Sequence, residues 1–236
     1  KFMANIFNSG RDSSFKEYYR LESDIDLSIY GINYDGGKGW MPIEYFENAV
    51  FDGNGKKITG LYINRDNADN IGLFGQMTAG TIQNLYLEDI SLHKGPSPLE
   101  GNIGGLAGQV SDNSIISGCA VKGFVTGEVS LGGYNIGGLV GLLEQGSMLN
   151  NCAFYGTVSI IDDSDYVMPD SPPSFYAGGI VGNLLQSAAV TNCISVADVT
   201  VTGENGYAGG IAGQVDSGSR ISLSAALGIA VCADAV

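Results

Sequence analysis

The stretch Ile136-Gly-Gly-Leu-Val-Gly141 decides the fold of this chain, because four related strings accompany it at similar intervals. The related strings are Ile71-Gly-Leu-Phe-Gly75, Ile103-Gly-Gly-Leu-Ala-Gly108, Ala177-Gly-Gly-Ile-Val-Gly182 and Ala208-Gly-Gly-Ile-Ala-Gly213. Their final glycines are separated by 33, 33, 41 and 31 residues. Self-similarity at such a period is typical of a solenoid, in which each repeat forms one turn and buries its apolar face against the next.

A second block follows each string at a nearly constant distance. Its reference column contains Leu85, Cys119, Cys152, Cys193 and Ser224. The column three positions earlier is aliphatic throughout, and the position just before the reference column is mostly Asn or Gly. Short apolar runs bounded by Gly and Asn are typical of buried strands joined at sharp corners. The sequence therefore predicts an all-β, parallel β-helix-like solenoid of about five glycine-rich repeats.

An ordinary β-sandwich is the competing fold, because it also has strands at short and regular spacing. A sandwich does not require five copies of one motif with a constant internal offset, so we favour the solenoid. Parallel strands in successive coils would lie about 4.8 Å apart. The three cysteines of the reference column are then expected to stack inside the solenoid as free thiols.

The region before the repeats, residues 1–65, has a different composition. It is aromatic and charged near its start and rich in Gly and Asp around Asp35-Gly-Gly-Lys-Gly39. A solenoid needs its first coil covered, because an open end exposes core residues and a strand edge. We therefore predict that residues 1–65 cap the solenoid and that residues 66–236 form the repeats, within a single structural domain.

Composition and charge exclude several classes of partner. Among the 236 residues, 44% are hydrophobic, and 36 glycines accompany only 6 prolines, which indicates an ordered chain and not a disordered linker. The net charge is −14, which would repel the phosphates of nucleic acid and anionic lipid. No signal peptide is recognisable at Lys1 and no apolar run approaches the length of a membrane span, so we expect no membrane insertion.

The order of the motifs resembles that of bacterial GLUG-motif repeat proteins. The resemblance rests on the Gly-Gly-Leu-Val-Gly type of string and on a lead-in that contains Tyr18-Tyr-Arg-Leu-Glu-Ser-Asp-Ile-Asp-Leu27, Trp40-Met-Pro-Ile43, Phe51-Asp-Gly-Asn-Gly55 and Gly60-Leu-Tyr-Ile63. Such repeats occur in surface and adhesin-like proteins and in non-catalytic parts of IgA1-specific metallo-endopeptidases. The resemblance implies an extracellular repeat module, and it implies no particular ligand.

The longest insertion between repeats is a candidate recognition loop, because insertions in solenoids form loops on one face. It combines carboxylates with aromatic rings at Asp162, Asp163, Asp165, Tyr166, Phe175 and Tyr176. The alternative is a solvated insertion stiffened by its prolines. Trp40, Tyr45 and Phe46 are a candidate sugar-stacking platform of the lead-in, and their alternative role is to plug the first coil.

Catalytic and metal-binding patterns are largely missing from the sequence. The single histidine, His93, rules out a zinc site with two histidines, and no nucleotide-binding context surrounds the glycine strings. Asp24, Asp26 and Asp52 could meet in space, but corner residues of this type usually bind nearby backbone amides. We therefore expect no cofactor, no metal and no enzymatic activity.

These observations favour a non-catalytic extracellular module at a cell surface, acting as a structural spacer or as an adhesin. Its expected partner is a host or matrix protein or a glycan, and the module is expected to be monomeric or part of a larger surface protein. The alternative is a carbohydrate-active or glycan-binding β-helix domain. That alternative requires two close carboxylates in a cleft along one face of the solenoid.

Overall fold

The computed structural model describes residues 15–96, 100–129, 133–162, 174–203 and 205–233. The chain first forms two short strands, β1 (Glu17–Arg20) and β2 (Ile25–Asp26), and two 3-10 turns at Ser28–Tyr30 and Asp35–Gly37. Six solenoid turns follow. Within the described residues no helix is long and apolar enough to cross a bilayer.

Each solenoid turn consists of three to five strands. The first two turns are formed by β3 (Ile43–Glu47), β4 (Ala49–Thr59), β5 (Tyr62–Asn64), β6 (Asn70–Ile71), β7 (Phe74–Thr78) and β8 (Thr81–Lys94). The third and fourth turns are formed by β9 (Gly101–Gly104), β10 (Ala107–Ser111), β11 (Ile115–Ser117), β12 (Ala120–Val129), β13 (Tyr134–Gly137), β14 (Val140–Leu143), β15 (Met148–Asn150) and β16 (Ala153–Asp162). The fifth and sixth turns are formed by β17 (Phe175–Gly178), β18 (Val181–Leu184), β19 (Ala189–Thr191), β20 (Ile194–Thr202), β21 (Gly206–Gly209), β22 (Ala212–Val215), β23 (Arg220–Ser222), β24 (Ala225–Leu227) and β25 (Ala230–Ala233).

Stacking of the turns produces three parallel sheets. The six-stranded sheet has the order β22-β18-β14-β10-β7-β3, and the five-stranded sheet has the order β21-β17-β13-β9-β6. The remaining strands form a 14-stranded sheet, here called the long sheet. All strand pairs between the described residues are parallel, apart from one isolated antiparallel bridge between Gly39 and Ile63. The predicted all-β parallel solenoid is confirmed.

The interior consists of columns of like side chains in register. One column of the long sheet contains Leu87, Val121, Phe154, Ser195 and Ala226. Its first four members are buried, and its residues become smaller toward the last turn, as the sequence columns predicted. Stacking of apolar residues in register removes them from water at about 25 cal/mol for each Å² buried, which is the main favourable contribution to folding.

Sharp corners recur at the position just before the reference column. The backbone there lies in the left-handed region, with φ of 53° at Asn84, 62° at Gly118, 54° at Asn151, 53° at Asn192 and 50° at Leu223. Gly and Asn adopt this conformation at low cost, which explains their place in the column. Leucine does not, so the last turn carries backbone strain that the earlier turns avoid.

The cysteines of the reference column are stacked inside the solenoid as buried thiols, as expected. Cys119, Cys152 and Cys193 are buried and free, whereas Cys232, which lies outside the column, is exposed. Each buried thiol donates to the carbonyl two residues before it, at 3.3 Å. In the last turn the Ser224 hydroxyl makes the same contact with Ser222 at 2.9 Å. From the third turn to the sixth, the column thus holds a small side chain with a donor, whereas the second turn has Leu85 there.

The N-terminal region contributes more than the predicted cap. Strand β3 pairs with β7, and β4 pairs with β8, so residues 43–64 form a complete solenoid turn. Ile43 and Phe46 align with Phe74 and Met77 in this turn although it has no glycine string, which is why repeat counting predicted five turns and not six. Ahead of this turn, β1 and β2 pair with β4 and partly cover it.

Candidate functional site

The predicted recognition loop is only partly within the described residues. Asp163, Asp165 and Tyr166 lie outside them. Asp162 ends β16, and its backbone N–H lies 3.4 Å from the Thr202 hydroxyl. Phe175 begins β17 with its side chain only 2% exposed, so its ring packs in the core and cannot contact a ligand. The binding role predicted for Phe175 is therefore wrong, because strand alternation turns its side chain inward.

Trp40 also belongs to the core. Its side chain is 7% exposed and packs edge-on against Tyr30, with ring centroids 5.4 Å apart. Its indole Nε1 has no hydrogen-bond partner among the described residues. The sugar-stacking role predicted for Trp40 is therefore wrong, and the alternative role, a plug beside the first turn, is confirmed.

Tyr176 is the part of the predicted loop that the structure places on an outer surface. It stacks on Tyr207 of the next turn, with ring centroids 5.2 Å apart and an angle of 21° between the planes. These tyrosines continue an outward column of the five-stranded sheet, whose preceding members are Asn70, Asn102 and Asn135. The asparagine amides form a ladder, since Asn135 Nδ2 donates to Asn102 Oδ1 and Asn102 Nδ2 donates to Asn70 Oδ1, both at 2.8 Å.

A second column runs beside the first on the six-stranded sheet. It contains Tyr45, Gln76, Gln109, Leu142, Asn183 and Gln214, aligned strand by strand. Gln109 donates to the Glu144 carboxylate at 2.8 Å. The two columns face a common space, because Tyr45, Asn70 and Gln76 line one cavity with a volume of about 330 Å³.

The final glycines of the five strings lie between these two columns. A Cβ atom on Gly141 would lie 2.5 Å from the backbone nitrogen of Ile103, and one on Gly213 would lie 2.6 Å from that of Ala177. The six-stranded sheet thus approaches the backbone of the five-stranded sheet in the preceding turn, and only glycine permits this distance. The surface bounded by the two columns and based on Gly75, Gly108, Gly141, Gly182 and Gly213 is here called the inter-sheet groove.

The first end of the inter-sheet groove carries fixed charges. Glu44, Arg65 and Asp69 line the cavity there. The Arg65 guanidinium is held by the carbonyl of Trp40 at 3.0 Å and by the Asp35 carboxylate at 2.6 Å. Glu44 and Asp69 thus line the cavity together with the amide residues Asn70 and Gln76 and an immobilised cation.

A buried lysine supports the wall of this cavity. Lys94 is fully buried, and its ammonium donates to the carbonyls of Asp66 and Ala68, both at 2.8 Å. Burial lowers the pKa of Lys94, against the opposing influence of the nearby carboxylates of Asp69 and Asp66. The segment that precedes Asn70 is thus tied to the interior, so the cavity has a rigid wall.

The three aspartates considered as a catalytic group instead serve the corners. Asp24 and Asp26 accept the backbone N–H groups of Lys57 at 2.9 Å and Ser28 at 2.8 Å. The hydrogen bond from Ser28 lowers the pKa of Asp26. These contacts are the ones expected of corner residues.

Asp52 makes the same kind of contact with more partners. Its carboxylate accepts the Asn54 N–H and the Tyr18 hydroxyl, both at 2.8 Å. Partial burial raises the pKa of Asp52, but these hydrogen bonds outweigh burial and leave the pKa below its usual value. Within the described residues no group of three or more His, Cys, Asp or Glu side chains is placed to hold a metal ion.

A second surface lies on the outside of the long sheet. Tyr86 and Tyr155 line an open cavity there, also of about 330 Å³, together with Glu88 and Lys122. Glu88 is paired with Lys57 at 2.8 Å. Among the residues that the structure describes, no amide side chain lines this cleft, in contrast to the inter-sheet groove.

Sequence reasoning missed the amide columns, although a signal for them is present. The residue just before each string reads Asn70, Asn102, Asn135, Tyr176 and Tyr207, which is a column as regular as the glycines. The position of this asparagine and tyrosine column beside the column of Tyr45, Gln76 and Gln109 depends on the approach of two sheets, and it has no signal in the sequence.

Comparisons with known proteins find sequence relatives for segments of this chain. No protein-family model matches it, so the resemblance to GLUG-motif proteins stays a prediction. A 122-residue segment, 50% of this chain, is 33% identical to halomucin of Haloquadratum walsbyi and covers 1% of that protein. A 102-residue segment, 41% of this chain, is 39% identical to a candidate Gly-rich membrane protein of Evansella cellulosilytica and covers 12% of it. The chain thus matches only a small part of the length of these relatives.

One solved structure shares the fold. The crystal structure of a candidate immunoglobulin A1 protease from Bacteroides ovatus superimposes with a TM-score of 0.61, over 94% of this chain and 71% of that one. The two chains are 20% identical, so the likeness is one of fold.

Proposed function

We propose that this chain is a non-catalytic, extracellular repeat module that acts as a spacer and as an adhesive element at a cell surface. The observation that carries the proposal is the uninterrupted stack of six parallel turns, whose outward columns repeat from turn to turn. Such a stack is a stiff body with an extended lateral surface, which is the form that solenoids use for binding.

The charge and the relatives support the same proposal. A net charge of −14 keeps an exposed module soluble and disfavours contact with anionic surfaces. Two relatives bear names that refer to a mucin and to a membrane protein, and both are far longer than the matched segment. A surface location is therefore the best supported setting for this module.

The test is an adhesion screen run beside an activity screen. Beads coated with the chain are tested for retention on extracellular-matrix proteins and on immobilised polysaccharides. The same materials in solution are assayed for new reducing ends and for cleaved peptide bonds. Retention without turnover is the expected result, and release of either product would contradict the non-catalytic role.

A carbohydrate-active enzyme is the second candidate, because Glu44 and Asp69 line the same cavity. Glycoside hydrolysis requires a pair of carboxyl groups that flank the scissile bond. If this candidate is correct, the activity screen shows polysaccharide turnover, and Glu44→Gln or Asp69→Asn abolishes it. Turnover that survives both substitutions would exclude this cavity as the active site.

A further inference from the structure

We propose that the inter-sheet groove binds a linear, neutral glycan that lies parallel to the solenoid axis. This inference rests on the adhesive role proposed above and assigns it a site and a class of ligand. One of the groove's two bounding columns spans six turns, from Tyr45 to Gln214, and the other spans five, from Asn70 to Tyr207. At about 4.8 Å for each of five steps, the length of the longer column is about 24 Å, which suits an extended polymer better than a compact molecule.

The amide columns supply the hydrogen bonds that sugar hydroxyls require. An amide side chain presents both a donor and an acceptor, and a hydroxyl can serve either one. In the asparagine ladder every bond has the same direction, which leaves Asn70 Nδ2 as a donor and Asn135 Oδ1 as an acceptor without partners among the described residues. Asn70 lies beside Gln76 in the cavity of about 330 Å³, a volume within the range of small-ligand sites.

An amide oxygen of the fifth turn also lacks a hydrogen-bond partner among the described residues. Asn183 belongs to the second wall of the groove, and its side chain is only 7% exposed. Its Oδ1 is buried and accepts no hydrogen bond from the residues that the structure describes. A buried amide oxygen without a donor is costly, and rotation of the amide toward a ligand hydroxyl in the groove would satisfy it.

Aromatic rings lie at both ends of the groove. Tyr45, largely exposed, lines the cavity at the first end. Tyr176 and Tyr207 form the stacked pair at the other end, and Tyr207 is 51% exposed. Because Tyr176 and Tyr207 stack on each other, the face of Tyr207 turned away from Tyr176 is the one left for apolar contact with the C–H face of a sugar ring.

The surroundings favour a neutral glycan over two other extended polymers. Glu44, Asp69 and Glu144 lie at or beside the groove, and they would repel a polyanionic chain. A peptide that binds by strand addition needs an unpaired strand edge. The internal strands of both sheets are paired on each side, so the groove offers side chains and not backbone.

The test measures the affinity of the intact chain for defined oligosaccharides. Neutral cello-, xylo- and manno-oligosaccharides of increasing length are titrated by calorimetry, with oligogalacturonate as the acidic comparison. We expect affinity to rise with length and the acidic chains to bind more weakly. Tyr45→Ala and Tyr207→Ala should each weaken binding about ten-fold, whereas Tyr207→Phe should retain it.

Tyr155→Ala is the matched control, because Tyr155 is a partly exposed tyrosine on the long sheet. The affinity of the Tyr155→Ala variant for the oligosaccharides should equal that of the unmodified chain. Thermal melting should show that all the variants are folded. Equal loss with Tyr155→Ala, or no loss with either groove variant, would overturn the proposed site. If no neutral oligosaccharide binds while coated beads still adhere to matrix proteins, the glycan inference fails and the adhesive function stands.

Discussion

At the residue scale, the glycines of the repeated string have two separate packing roles. The final glycine lets the six-stranded sheet approach the five-stranded sheet of the preceding turn, as at Gly141 and Ile103. The second glycine of the string faces the buried column of the long sheet, as at Gly138 beside the Phe154 ring. Each position is limited by neighbouring atoms, so the string is conserved within the chain for a steric reason.

Gly141→Ala should lower the free energy of unfolding by about 3 kcal/mol, the upper end of the usual cost of overpacking, because its Cβ would meet backbone and not a flexible side chain. Urea unfolding followed by circular dichroism measures the change. Gly218→Ala is the control, since the nearest atoms would lie 3.6 Å away, and its effect should be within about 0.5 kcal/mol. Equal effects of the two substitutions would contradict the steric explanation.

The thiol column leads to a prediction on pH. Interaction with Cys119 and burial raise the pKa of Cys152 to about 12 from an ordinary value near 9.0. The folded state therefore keeps a proton that the unfolded state loses between these values. The stabilisation from this thiol is complete below pH 9 and declines as pH rises toward 12. The difference in unfolding free energy between the unmodified chain and Cys152→Ala should thus narrow from pH 8 to pH 10.5.

Alkylation of the native chain at pH 8 checks the same column directly. Cys232 is exposed and should react, whereas Cys119, Cys152 and Cys193 should react only after unfolding. Rapid labelling of Cys152 in the native chain would show that the thiol is not protected as described. The same conclusion would follow if the difference in unfolding free energy between the unmodified chain and Cys152→Ala stayed constant from pH 8 to pH 10.5.

At the scale of the strand and its corner, the last turn departs from the pattern of the others. Asn or Gly occupies the left-handed corner of four turns, but Leu223 occupies it in the sixth. Its side chain is 83% exposed, so it contributes little burial in return for the strain. The left-handed backbone conformation of this corner is therefore the same in all five turns, and only the type of side chain changes.

Leu223→Asn should raise the free energy of unfolding by about 1 kcal/mol, because the left-handed conformation costs a leucine about 1–2 kcal/mol and costs asparagine less. The measurement is thermal or urea unfolding. Leu227→Asn serves as the comparison, since Leu227 is also exposed but lies within β24. It should not stabilise the chain, and equal stabilisation by both changes would indicate an effect of surface polarity.

At the scale of the whole molecule, stability depends on neighbouring turns. A turn in the middle of the stack has a neighbour on each side, as in the buried residues Ile136 and Leu139 of the fourth turn. The equivalent residues of the sixth turn, Ala208 and Ile211, are only partly buried. Repeat proteins of this kind open from their less supported turns, because each turn interacts only with its neighbours.

Hydrogen exchange of the 236-residue chain should therefore show the lowest protection in β21 to β25 and the highest in the third and fourth turns. Mass spectrometry of peptic fragments resolves the turns. The peptide Ala107–Ser111 is a suitable internal reference, because Ala107 and Val110 are fully buried. Uniform protection along the stack would show that the solenoid opens as one cooperative unit.

The sequence by itself determined the solenoid, its parallel columns, the corners and the buried thiols. Each of these features depends on the spacing of residue types along the chain, since a repeat that stacks in register places equivalent positions next to each other. The turn formed by residues 43–64 escaped prediction because it keeps the buried pattern but lacks the glycine string.

Only the tertiary structure decided which exposed residues form a surface. Phe175 and Trp40 are aromatic residues of the type found in binding sites, but both are buried. Strand alternation turns Phe175 inward, and Trp40 packs beside the first turn. Asn70 and Gln76 come together in one cavity because two sheets approach across glycine, and Tyr176 meets Tyr207 because adjacent turns are in register. The distance and angle between sheets result from packing in three dimensions, and no spacing along the chain encodes them directly.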